Sequence, residues 1–130
     1  MIAEVYVATY QGQGDAHATV VLHAYDDDGR CKKVACEVEA MPTPNQTLVK
    51  AISLALSRLK KHGHKGATVY TCLQAAVPNQ SHITWPSTEG FRAMVGQLAV
   101  ESAACECEIA WCRAEHPRMV EVRMAARRAS

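Results

Sequence analysis

Aromatic residues are scarce in this sequence: they make up 5% of the 130 residues, and only one of them is Phe. The sequence also lacks an excess of either charge, because 14 Lys and Arg nearly balance 13 Asp and Glu. The core must therefore be built mainly from Val, Leu, Ile, Met and Ala. A net charge of +1 gives the whole molecule little attraction for a polyanion, so any nucleic-acid binding would depend on local patches or on shape.

Long apolar runs are also missing. No stretch approaches the roughly 18 apolar residues of a membrane span. The first residues, MIAEVYVATY, lack the basic region, long apolar run and cleavage site of a secretion signal. We therefore expect a soluble, cytoplasmic protein that does not interact with membranes.

The six cysteines form no CxxC pair. An even number could indicate disulfides in a secreted chain, but the expected compartment does not favour them. Cys105 and Cys107 alone do not make a zinc knuckle, and His62, His64 or His116 could complete a ligand set only through the fold. Cysteine is often simply a small buried residue. We interpret these residues mainly as buried thiols and expect no cofactor, with a zinc site as the open alternative.

The first third of the chain has the pattern of an antiparallel meander. Residues 2–10, 16–25 and 30–40 are rich in apolar and β-branched residues. They are separated by QGQGD and DDDG, which contain the standard turn residues. Three consecutive strands are predicted.

The apolar period then changes to that of a helix. Thr43–Gln46, TPNQ, matches a capping box with proline at the first helical position. One apolar stripe follows, formed by Leu48, Ile52, Ala55, Leu56 and Leu59. Gly63 and Gly66 are predicted to end this helix. The basic run KKHGHK, residues 60–65, is interpreted as helix termination and solubility, because cations favour a helix carboxyl end.

The second half continues with alternating strands and helices. Residues 67–72 are predicted to form a short buried strand, and Ser87 to cap a second helix. Residues 105–112 alternate as a fifth strand, and Pro117 opens a final helix rich in Arg. The predicted order is βββαβαβα in one domain, residues 1–130, without a linker or repeat.

This order resembles the ribonuclease H family. The resemblance is carried locally by VYVATYQGQG, NQTLVKAISLALSRL, VYTCLQAAV and IAWCRAEHPRMVEVRMAAR. It implies an α/β fold with a five-stranded mixed sheet and helices on both faces. The family's metal ligands are carboxylates on the first strand, the first helix, the end of the fourth strand and the last helix.

The same resemblance assigns this chain's residues to those four positions. They are Ala8, Leu48, Cys72 and, depending on the alignment of the loop before Pro117, Val122 or Arg123. None of these side chains is a carboxylate. Two-metal nucleases place Mg²⁺ between clustered carboxylates, and Mg²⁺ demands oxygen ligands. The resemblance therefore implies a catalytically inactive member without a metal site, and Arg123 would place a cation there if it points inward.

Several non-catalytic features remain from the family pattern. By resemblance, the residues expected to contact nucleic acid are Gly12, Gly14, Asn45 and Gln74. A basic set near the last helix adds Arg113, Arg118, Arg123, Arg127 and Arg128. We predict a binding module for structured RNA, an RNA–DNA hybrid or a nucleic-acid-processing protein.

Two alternatives stay open. One is an active metal-dependent nuclease with a relocated acidic site, for which Glu37 and Glu39 share a strand face and Asp15 and Glu101 are further candidates. Such a pair is more often the solvent side of an edge strand. The other is a purely protein-directed inhibitor or regulator.

Overall fold

The computed structural model describes residues 1–77 and 89–130. Its strands are β1 (Ile2–Tyr10), β2 (His17–Asp26), β3 (Cys31–Glu39), β4 (Thr68–Thr71) and β5 (Glu108–Trp111). Its helices are α1 (Pro44–Lys61), α2 (Glu89–Cys105) and α3 (Pro117–Ala129), and a short 3₁₀ turn covers Gln74–Ala76. The predicted order βββαβαβα is confirmed. Over the described residues, no helix has the length and apolar character needed to cross a membrane.

The five strands form one mixed sheet in the order β3-β2-β1-β4-β5. The meander β1–β2–β3 is antiparallel, whereas β4 runs parallel to both β1 and β5. Short turns can join only antiparallel neighbours, and the parallel pairs are reached through helical crossovers. β1 therefore lies at the centre of the sheet, between the two kinds of pairing.

Apolar layers cover both faces of the sheet. Successive side chains of β1 point to opposite faces, so Val5 and Val7 join one layer while Tyr6 and Ala8 join the other. α1 and α2 contribute to the first layer, and α3 covers the second over β1 and β2. Burial on both faces explains why VYVATY reads as an almost unbroken apolar run.

The predicted capping box at the start of α1 is present. The Gln46 N–H donates to Thr43 Oγ1 at 3.2 Å, and the Thr43 N–H donates to Gln46 Oε1 at 3.1 Å. Four residues of the predicted stripe are buried: Ile52, Ala55, Leu56 and Leu59. Leu48 is only half-buried and packs against the edge of their layer. The helix ends at Lys61, with Gly63 beyond it at φ 72°.

The fifth strand is shorter than the alternation in CECEIAWC predicts. α2 continues to Cys105, and β5 begins only at Glu108. Glu106 adopts a left-handed φ of 56°, and the Cys107 N–H donates to the Ser102 carbonyl at 3.1 Å. This hydrogen bond closes the end of α2 at residues where a strand was predicted. The predicted cap at Ser87 lies outside the described residues.

Candidate functional site

Ala8 and Cys72 lie near the carboxyl ends of the parallel strands β1 and β4. Tyr6 and Tyr70 are register partners in β1 and β4, and Ala8 and Cys72 follow each of them by two residues. Both side chains contact the apolar layer under α3, which also contains the fully buried Val122. Three positions that the resemblance assigns to metal ligands are thus brought together, and they carry a methyl group, a thiol and an isopropyl group.

The other two assigned residues, Leu48 and Arg123, do not belong to this apolar layer. Leu48 packs on the opposite face of the sheet, against the layer under α1 and α2. Arg123 is exposed on α3, next in sequence to Val122. Burial raises the pKa of the Cys72 thiol, and the positive charge of Arg123 acts in the opposite direction.

The acidic residues considered for a relocated site are dispersed. Glu37 and Glu39 are exposed on the edge strand β3, whereas Asp15 lies in the β1–β2 turn. Glu101 on α2 accepts a hydrogen bond of 2.7 Å from a serine hydroxyl of α1. Among residues 1–77 and 89–130, no three His, Cys, Asp or Glu side chains are grouped closely enough to hold a metal ion. The spacing of Glu37 and Glu39 has not produced a carboxylate cluster within that part of the chain.

Three of the cysteines are buried thiols, as their sequence context predicts. Cys105, Cys107 and Cys112 are 4–7% exposed, and burial raises the pKa of the Cys107 and Cys112 thiols. Cys36 and Cys72 are half-buried. Cys31 is exposed at the start of the edge strand, so the prediction of burial is wrong there.

The β1–β2 turn is closed around one carboxylate. Asp15 Oδ2 accepts from the Gly12 N–H at 3.1 Å, and the Asp15 N–H donates to the Gly12 carbonyl at 3.1 Å. A Cβ atom on Gly12 would lie 2.4 Å from Asp15 Oδ2. Gly14 has a φ of 81°, a left-handed conformation that favours glycine. Gly12 thus makes room for the Asp15 carboxylate within the turn.

A groove of about 350 Å³ separates this turn from the start of α1. Its lining includes Tyr10, Gln11, Gln13 and Pro44. Asn45, next to Pro44, is exposed at the second position of α1. The groove therefore combines polar amide side chains with a tyrosine ring. Gln74 is half-buried at the first position of the 3₁₀ turn after β4.

Two exposed arginines extend this side of the molecule along α3. Arg123 and Arg127 are four residues apart, so they share a helix face. The guanidinium of Arg127 lies 5.6 Å from the centroid of the Tyr10 ring. Because Tyr10 also lines the groove, α3 and the groove border each other. Arg113 is exposed just after β5.

Arg118 has a different environment. Its Nη1 donates to Glu4 Oε1 at 3.2 Å, and its guanidinium lies 3.9 Å from the centroid of the Tyr25 ring. The Tyr6 hydroxyl donates to the same Glu4 oxygen at 2.6 Å. The guanidinium of Arg118 is thus already engaged with partners inside the protein.

These contacts belong to a group that the sequence did not reveal, the tyrosine cluster, which consists of Glu4, Tyr6, Tyr25, Tyr70, His116 and Arg118. The Tyr6 ring stacks on Tyr70 at 4.9 Å and on His116 at 5.6 Å, and meets the edge of Tyr25 at 5.7 Å. Burial and the bond to Glu4 raise the pKa of Tyr6, and burial raises the pKa of Tyr25 to about 12. These hydroxyls stay protonated at neutral pH. The one sequence signal was the spacing of Glu4 and Tyr6, which places both on one face of β1.

No protein-family model and no curated protein matches the sequence. Solved structures do match. The LC11 ribonuclease H1 in complex with an RNA/DNA hybrid has a TM-score of 0.70 and 14% identity, and all of both chains is covered. The ribonuclease H1 of Halobacterium salinarum NRC-1 has a TM-score of 0.68 and 14% identity, with 96% of this chain and 92% of that chain covered. At such low identity the similarity is one of architecture: the chain has the ribonuclease H fold.

Proposed function

We propose that this protein is a nucleic-acid-binding module that uses a ribonuclease H scaffold without hydrolysing its ligand. The observation that carries this proposal is that Ala8, Cys72 and Val122 all belong to the apolar layer under α3, near the carboxyl ends of β1 and β4. A two-metal mechanism needs clustered oxygen ligands at that place. A methyl group, a protonated thiol and an isopropyl group provide none.

The proposed ligand is a duplex with A-form character, such as an RNA–DNA hybrid. One structure with this fold, LC11 ribonuclease H1, is in complex with such a hybrid. We name the proposed contact region the edge surface and define it by Gln11, Gln13, Asn45, Arg123 and Arg127. Amides and guanidinium groups are suited to phosphate and sugar contacts, which position a duplex without reading its sequence.

The charge of the chain predicts how binding should behave. Because the net charge of the chain is only +1, its affinity for a duplex depends on the local arginines rather than on the electrostatic field of the whole molecule. If Arg123 and Arg127 each neutralise one phosphate, log Kd should rise with log salt concentration with a slope of about 2. Binding should therefore be modest, indifferent to sequence and weaker at physiological salt.

The test is a titration of labelled hybrid, duplex RNA and single strands at low and physiological salt. The double variant Arg123→Glu/Arg127→Glu should weaken binding at least tenfold at low salt. The matched control is Lys60→Glu/Lys61→Glu, which changes the charge by the same amount at the far end of α1. That helix has 18 residues and is about 27 Å long, so the control lies outside the edge surface. Equal effects of both variants, or no binding at low salt, would contradict the proposal; the second result would favour a protein-directed regulator.

Hydrolysis is tested separately. Purified protein with Mg²⁺ or Mn²⁺ should release no product from a hybrid above a buffer control. Product formation that disappears in Glu37→Gln/Glu39→Gln would instead establish a nuclease with a relocated site. Product formation that survives this change but disappears with EDTA would contradict the non-hydrolytic proposal without supporting those two residues.

A further inference from the structure

A second concave site, of about 310 Å³, lies between the last turns of α1 and the sheet. Its floor is aliphatic. The floor residues are Ile2, Val5, Leu22, Ala24, Val34, Ala55 and Leu59. Val5, Leu22 and Leu59 are buried, whereas Ile2, Ala24 and Val34 are half-buried and so present apolar surface to the opening. The volume is near the lower limit of the roughly 300–1,000 Å³ typical of small-ligand sites.

The rim of this site is basic. It consists of Lys32 on β3, Arg58 on α1, and His62 and His64 just beyond α1. None of the described lining residues is Asp or Glu. No other described side chain forms an ion pair with Lys32 or Arg58. The two permanent cations at the rim are therefore not neutralised within the described part of the chain.

His64, just beyond α1, places a ring nitrogen at this opening. Two carbonyl groups of the last turn are already paired, because Arg58 O accepts from the His62 N–H at 3.1 Å and Leu59 O accepts from the His64 N–H at 2.9 Å. Nδ1 of His64 accepts from the Ile2 N–H at 3.3 Å. In that geometry the ring proton of His64 lies on Nε2, which is left to donate.

We propose that this site binds a medium-chain aliphatic carboxylate. The tail would lie on the floor between Leu22, Val34 and Leu59, and the carboxylate would lie between Lys32 and Arg58. Arginine forms bidentate bonds with carboxylates, which favours that head group at the rim. The floor side chains offer no polar partners for a sugar or a base, so a nucleotide does not fit this lining. The inference is independent of the proposed nucleic-acid binding and assigns a use to the basic end of α1.

The test is a titration of the full chain with hexanoate, octanoate and decanoate, in which binding is monitored by two-dimensional NMR. The largest chemical-shift changes should occur at four residues of the floor: Leu22, Ala24, Val34 and Leu59. Each added CH₂ contributes about 0.8 kcal/mol when buried, so Kd should fall about fourfold per methylene until the floor is filled. 1-Octanol should bind at least tenfold more weakly than octanoate, and octylamine should not bind. Equal binding of all three head groups, no dependence on chain length, or shifts spread over the whole molecule would overturn the proposal.

Two sets of variants separate the rim from the floor. Lys32→Gln/Arg58→Gln should weaken the binding of octanoate at least tenfold and leave the affinity for 1-octanol unchanged. The matched control is Lys60→Gln/Lys61→Gln, which removes the same amount of charge from the end of α1 but not from the rim. Ala24→Phe should fill the space above the floor and weaken the binding of both ligands. Ala24→Leu is a smaller change that can be used if the first variant does not fold. Unchanged octanoate affinity in the rim variant, with its fold intact by NMR, would exclude the site.

Discussion

The guanidinium of Arg118 lies 3.9 Å from the centroid of the Tyr25 ring. The same group donates to Glu4 Oε1 at 3.2 Å. These three residues come from the start of α3, the end of β2 and the start of β1, so one cation links three elements on the α3 face. The side chains of Arg118 and Glu4 are each 36% exposed, and solvent therefore screens part of their attraction.

Arg118→Ala should lower the free energy of unfolding by about 1–2 kcal/mol, because it removes a cation–π contact and a charged hydrogen bond. Arg118→Lys should recover less than half of that loss, since an ammonium group cannot reproduce the planar stacking. Urea denaturation measures both changes.

Arg128→Ala is the matched control for this prediction, because Arg128 is exposed in the last turn of the same helix. It should change stability by less than about 0.5 kcal/mol. Duplex binding by Arg118→Ala should stay within twofold of the unmodified protein. A folded Arg118→Ala protein with strongly reduced binding would show that Arg118 belongs to the edge surface after all.

Restoring carboxylates at the assigned positions should damage the fold rather than rebuild a metal site. Ala8 is 4% exposed, so Ala8→Asp buries a charge among apolar groups and should cost about 3 kcal/mol or more. Leu48 is half-buried, and Leu48→Glu should cost only about 1 kcal/mol, because the carboxylate can reach water. Ala8→Asn, of the same size as Ala8→Asp, isolates the contribution of charge.

Thermal melting with and without Mn²⁺ completes that test. A ligand stabilises only the state that it binds, so the metal should leave the melting temperature of Ala8→Asp/Cys72→Asp unchanged. A stable double variant whose melting temperature rises with Mn²⁺ would show that the ends of β1 and β4 form a wet cleft able to hold metal.

Among the described residues, His23 is a buried polar side chain without a hydrogen-bond partner. It is 1% exposed, and neither ring nitrogen has a hydrogen-bond partner in the part of the chain that the structure describes. Burial lowers the pKa of His23, and Lys33 lowers it further; on α3, Arg128 acts in the same direction and Glu121 opposes it. The imidazole is therefore neutral in the folded protein at neutral pH.

This burial makes stability depend on pH in a defined direction. Below the unfolded pKa of about 6.5, the unfolded chain binds a proton that the folded chain does not. Stability should therefore be full above pH 6.5 and fall as pH decreases towards the folded pKa, by at most about 1.4 kcal/mol per pH unit. His23→Phe should flatten the profile between pH 5 and 7.5, whereas His17→Phe, at an exposed position of the same strand, should not. Equal slopes in the unmodified and His23→Phe proteins would contradict this explanation.

Much of the fold follows from local signals. The first strand is predicted at residues 2–10 and observed at Ile2–Tyr10, because the turn QGQGD ends a short apolar run. The start of α1 was predictable from TPNQ, since a capping box is satisfied by residues three positions apart. The fifth strand was mispredicted because CEC alternates like a strand, while the bonds from Ser102 to Cys107 close a helix there.

Less of the candidate site could be predicted from the sequence. Ala8 and Cys72 could be paired only through the resemblance to a family, because their proximity depends on the parallel register of β1 and β4. The engagement of Arg118 with Glu4 joins residues 114 positions apart, and no local pattern encodes such a contact. The shared face of Arg123 and Arg127 follows from their spacing of four, but the approach of Arg127 to Tyr10 depends on how α3 packs.

The carboxylate of Asp15 provides a last test of the edge surface. It accepts from the Gly12 N–H within the β1–β2 turn, beside Gln11 and Gln13. Its negative charge should oppose a phosphate at this turn. Asp15→Asn keeps an oxygen acceptor and removes the charge, so duplex affinity at low salt should rise about twofold to fivefold, and the gain should vanish at high salt. Asp28→Asn makes the same charge change in the β2–β3 turn, at the opposite end of the sheet, and should have little effect. Equal gains in both variants would indicate a general charge effect, and no gain in either would place the duplex away from this turn.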